Sequence, residues 1–130
     1  MKKYINDAQN LINQWTTYLK LPNLTVKILD ELAEPKNKRG AISIEEATIV
    51  IWTRNIPNKE KFILTLLHEL SHWWFYWNKK DTIYKNEVHI VKKSYALFKK
   101  FYPDYYTKFE NLLNKQCQLQ IKDCKNDANK

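Results

Sequence analysis

The chain has 130 residues, of which 44% are hydrophobic and 14% aromatic, and it carries a formal net charge of +8. That is enough apolar material for one domain with its own core, and it excludes a disordered polypeptide. A single glycine further excludes a glycine-rich phosphate loop and a turn-rich all-β sandwich.

The opening Met1-Lys2-Lys3 has no apolar stretch behind it and does not read as a signal peptide. Residues 4–20 are predicted to form an amphipathic helix, because Ile5, Ala8, Leu11, Ile12, Trp15, Tyr18 and Leu19 recur at helical spacing. Pro22-Asn23 ends it, and residues 24–29 then alternate apolar and polar as a half-buried strand does. A polar loop over 34–40 precedes two β-branched runs, 41–44 and 48–52, joined by Glu45-Glu46-Ala47. These runs read as a hairpin, and with the first strand they make a small three-stranded sheet of antiparallel type.

Asn58 is a natural N-cap for a long helix over 59–77. Ile63, Leu66, Leu67, Leu70, Trp73, Trp74 and Trp77 cover most of its circumference, which marks a central helix. Its one polar stripe is Thr65, His68, Glu69 and His72, and these residues also interrupt the run too often for a membrane span. A turn at 78–81 leads to a second helix over 83–101. Pro103 starts a third over 104–121, and 122–130 read as a frayed polar tail. The expectation is one α+β domain spanning 1–130: N-terminal helix, sheet, central helix and two further helices. Cys117 and Cys124, about 10.5 Å apart along a helix, lie beyond the ~6.8 Å reach of a disulfide. Free thiols in a reducing cytoplasm are expected.

His68-Glu69-Leu70-Ser71-His72 is an H-E-x-x-H motif. Helical positions i and i+4 stack one above the other, so two imidazoles can converge on one Zn²⁺ while Glu69 sits beside them to act on water. With 3 His in the chain, shuffling would produce the motif only about 0.004 times. A hydrolytic zinc site needs a third protein ligand and an open position. Two residues of the second helix are candidates. Helical steps from Glu87 reach Ile90, Val91, Ser94, Phe98 and Phe101, the apolar face, whereas steps from His89 reach lysines. A carboxylate on an apolar face is costly unless paired or metal-bound, which favours Glu87 and leaves His89 as the alternative.

With His68-Glu69-Leu70-Ser71-His72 followed by Asn86-Glu87, the chain resembles the gluzincin metallopeptidases, above all the minimal single-domain gluzincins of archaea and their mobile elements. The resemblance covers roughly residues 40–100. It implies a zinc-dependent endopeptidase with His68, His72 and Glu87 as ligands and Glu69 as general base. It also implies an extended peptide or protein substrate bound by strand addition along Thr48–Trp52, with Thr48, Val50 and Trp52 as contacts. The position four residues after the ligand Glu, an Asp in many gluzincins, is Val91 here. No spare His stands ready for the oxyanion, so Tyr84, Tyr95 or a tyrosine of the third helix is expected to serve.

Two other readings share these residues. One is an SprT-like protease with His89 as third ligand, acting on DNA-associated proteins. It draws on the 12 basic against 6 acidic residues of 79–130, although a solvated lysine surface accounts for them without nucleic acid. The other is a zinc-stabilised binding or regulatory module that is latent or never catalytic. The aromatic run Trp73-Trp74-Phe75-Tyr76-Trp77 is too crowded to be wholly buried, which makes a second copy of the chain a candidate partner. No membrane association is expected.

Overall fold

The computed structural model describes residues 3–78 and 86–128. A 3-10 turn over Lys3–Asp7 leads into α1 (Ala8–Tyr18), followed by β1 (Thr25–Leu29), β2 (Gly40–Ser43) and β3 (Thr48–Trp52). Then come α2 (Lys59–Trp77), α3 (Glu87–Phe101), α4 (Pro103–Lys108) and α5 (Glu110–Ala128). The class is α+β, in the expected helix–sheet–helix order.

The sheet is mixed rather than antiparallel throughout. Its order is β1-β3-β2: β2 pairs with β3 antiparallel, as a hairpin must, but β1 pairs with β3 in parallel. Alternation of apolar residues encodes which face a strand buries, not which neighbour it takes. The loop over 30–39 carries the chain across the width of a strand, leaving room for β3 to enter between β1 and β2. A parallel pair needs such a long crossover. That loop is pinned by Asn55, whose Nδ2 donates to the carbonyls of Ala33 at 3.2 Å and Lys38 at 2.6 Å.

Ile49 and Ile51 of β3 are fully buried against the helices, while Thr48, Val50 and Trp52 take the opposite face. α2 lies on the buried face. Gly40 is where it comes closest, since a β-carbon there would stand 2.9 Å from Thr65 Cγ2 and 3.1 Å from Ile51 Cδ1. Phe62, Leu66, Leu67 and Leu70 of α2 join Ile12, Leu24, Val91 and Leu113 in a single core. Among the described residues no helix is long and apolar enough to cross a membrane.

α2 has the bounds its sequence implies. Asn58 is extended (φ −159°, ψ 175°) and its Oδ1 accepts from Lys61 N at 2.9 Å. Replacing Asn58 by Ala is expected to lower unfolding free energy by about 1 kcal/mol, read from urea denaturation, with an unchanged m-value.

The later helices depart from expectation. α3 begins at Glu87 rather than 83, and residues 79–85 lie outside the described residues. Asn86 starts the helix by accepting from Val88 N and His89 N at 3.1 and 3.4 Å. The third helix is interrupted at Phe109 and then runs on to Ala128, well beyond the expected frayed end. Cys117, Ile121 and Cys124 recur at helical spacing and pack against the core. Neither cysteine is in a disulfide, as expected, and both act here as small hydrophobes.

Candidate metal centre

α2 supplies two imidazoles to one point. His68 and His72 are one turn apart, their ring centroids 5.3 Å from each other. Glu87 meets them from the first residue of α3. One carboxylate oxygen lies 3.0 Å from His68 Nε2 and the other 3.1 Å from His72 Nε2. Asn86 matters to the centre for this reason. By capping α3 it sets the residue after it at the helix mouth, opposite the histidines.

One donor atom from each of His68, His72 and Glu87 lies within 4.8 Å of the others, a group close enough to bind a metal ion. In a tetrahedral zinc site with bonds of 2.0–2.1 Å, ligand atoms stand roughly 3.4 Å apart. The observed spacing requires only small side-chain shifts to reach that geometry. Two imidazole nitrogens and one carboxylate oxygen are also the donor set of hydrolytic zinc sites, so the residues present fit the ion.

Glu87 reaches this position by a route the helical wheel does not foresee. Its side chain is 48% exposed, against 19% for His68 and 13% for His72. The apolar face to which the wheel assigns it begins one turn later, with Ile90 and Val91 fully buried. Partial burial raises the Glu87 carboxyl. The hydrogen bonds and charges of His68 and His72 together outweigh that and hold it well below the usual carboxylate range. Val91 contributes to the core and not to the centre. His89 is exposed and lies outside the His68–His72–Glu87 group.

Glu69 is the most unusual group. It is 6% exposed, yet no hydrogen bond or ion pair among the described residues holds its carboxylate. Burial pushes its pKa up, with the two histidines pulling down and Glu87 pushing further up. A largely buried carboxyl that faces a cavity instead of a fixed partner recurs where a proton must be handled. His68 and Glu69 open on a cavity of about 210 Å³, whose wall includes Gly40, Ser94 and Tyr95. Of the tyrosines expected at the oxyanion, Tyr95 lines this cavity, whereas Tyr84 lies outside the described residues. Burial pushes the Tyr95 phenol far above its ordinary value, so it retains a proton to donate.

The expected substrate strand needs correction. β3 is the middle strand, its backbone engaged by β1 on one side and β2 on the other, so it cannot take a further strand. Thr48, Val50 and Trp52 point to the sheet face away from α2, and Lys38 Nζ covers the Trp52 ring at 4.9 Å from its centroid. β2 is the sheet edge on the cleft side, and Gly40 at its start lines the cavity. Nothing in its short GAIS stretch distinguishes it by composition; only the strand order does.

No protein-family model matches the chain, and neither a curated protein nor a solved structure matches it.

Proposed function

We propose that the protein is a zinc-dependent endopeptidase. The observation that carries this reading is the meeting of His68, His72 and Glu87 at one point, with the carboxylate of Glu69 beside it in an open cavity. His68 and His72 through Nε2 and Glu87 through its carboxylate would hold the ion. When bound, zinc supplies a Lewis acid for the scissile carbonyl and a water whose pKa is brought towards ~7.

The chain's own residues do the rest. Glu69 takes a proton from the attacking water and delivers it to the leaving amine; its burial raises its basicity towards that role. Tyr95 donates a hydrogen bond to the developing oxyanion from across the cleft. The edge strand β2 takes the substrate backbone as an added strand, beginning at Gly40, which lines the same cavity as Glu69.

The test is digestion of a denatured protein mixture by the zinc-loaded chain, read by mass spectrometry. Internal cleavage that a chelator stops and added zinc restores is the expected result. Stoichiometric zinc uptake with no cleavage would leave a zinc-stabilised binding module instead.

A further inference from the structure

The wall of the cleft carries charge that hydrolysis does not use. Arg39 and Lys61 line the same cavity as His68 and Glu69, and they come from different elements. Arg39 extends β2 by one residue, its carbonyl accepting from Trp52 N at 2.9 Å. Its Nε donates to Asn55 O at 3.3 Å, and no bond among the described residues occupies its terminal Nη atoms. The ammonium of Lys61, on the first turn of α2, makes one long hydrogen bond among the described residues, to Gln116 Oε1 at 3.3 Å.

Among the described residues neither cation has an ion-pair partner; the ion pairs there join Arg54 to Asp30, and His68 and His72 to Glu87. Glu60, next to Lys61, accepts from Tyr105 Oη at 2.7 Å and is not part of the cavity wall. Lys38 also reaches the wall, but its ammonium lies over Trp52. Glu69 is the one carboxylate among the lining residues. Burial draws the Lys61 ammonium below its ordinary value, Glu60 pulls it back up, and the charge of Arg39 pushes it down again. Glu60 offsets part of this from outside the wall, and an anion entering the cavity would meet both cations directly.

We infer, resting on the peptidase reading of this site, that the cleft accepts an acidic side chain of the substrate, a Glu or Asp next to the scissile bond, held by Arg39 and Lys61. The guanidinium fork matches a carboxylate in shape as well as charge. A cavity of about 210 Å³ is large enough to admit one such side chain. Two cations outweigh the single negative charge of Glu69, so the net field favours the anion.

The experiment is fluorescence polarisation of two labelled pentapeptides, Ala-Ala-Glu-Ala-Ala and its Gln counterpart, titrated with the full zinc-loaded chain. The same mixtures are read for cleavage by mass spectrometry. The Glu peptide should bind roughly tenfold or more tightly at low salt, and less so as salt rises. Arg39→Gln and Lys61→Gln should each erase most of that ratio. Lys61→Arg should keep it, and Lys20→Met, which lowers net charge away from the cavity wall, should leave it unchanged. Equal affinities, no measurable binding of either peptide, or a ratio insensitive to Arg39 and Lys61 would overturn the inference. Cleavage without acidic preference would overturn it while sparing the peptidase reading. Acidic preference without cleavage would support it and sink the peptidase reading.

Discussion

Glu69→Gln is expected to take up zinc like the parent chain and to hydrolyse peptides on the order of 10²–10⁴-fold more slowly, the usual contribution of a positioned general base. Glutamine keeps the shape of the side chain and loses only its basicity. Because the buried carboxylate has no partner to lose among the described residues, the substitution should not destabilise the fold. Removing a charge from a site that does not compensate it should instead leave stability equal or slightly higher. The measurements are kcat/KM on a fluorogenic peptide, zinc content after dialysis, and urea unfolding of both chains. A variant that cleaves at the parent rate would remove Glu69 from the mechanism. One that unfolds markedly more easily would mean that the carboxylate has a structural partner.

Glu87→Ala should weaken zinc binding by more than the ~10–100-fold typical of changes outside the ligand set, while His89→Ala should leave it untouched. The pair of variants separates the two candidate third ligands. The same contrast appears in thermal stability. Zinc at 100 times its Kd stabilises a native site by ~2.7 kcal/mol, which for a domain of this size raises Tm by ~10 °C. At that zinc concentration Glu87→Ala should show little of the increase and His89→Ala all of it. If His89→Ala lost the increase and Glu87→Ala kept it, the ligand set would have to be redrawn around His89 of α3.

How far the site is legible in the sequence depends on the range of each interaction. His68, Glu69 and His72 are neighbours on one helix, so their geometry follows from the 3.6-residue repeat alone. Glu87 is within reach because the apolar pattern after it marks a packed helix on which a carboxylate is out of place. Its half-exposed position is not, since that depends on where the first turn of α3 falls relative to α2. The same limit applies to Arg39 and Lys61. They are far apart along the chain, and nothing in either stretch announces that a loop and a helix will bring them to one cavity. Cys117, Ile121 and Cys124 differ in kind. Their helical spacing is visible in the sequence, but it signals a buried face only if the cysteines count as apolar surface rather than as thiols.

By itself the sequence determined what is periodic or local: the bounds of α2, the cap at Asn58, the apolar faces, and the paired histidines with Glu69 between them. The tertiary structure decided what depends on strands and helices meeting. β1 pairs in parallel with β3, so β2 and not Thr48–Trp52 forms the cleft-side edge. α3 presents its first residue to the histidines. Alternation and helical period specify which face of an element is buried. They carry no information on which element covers it, and both the cleft-side edge and the third donor are set by that choice.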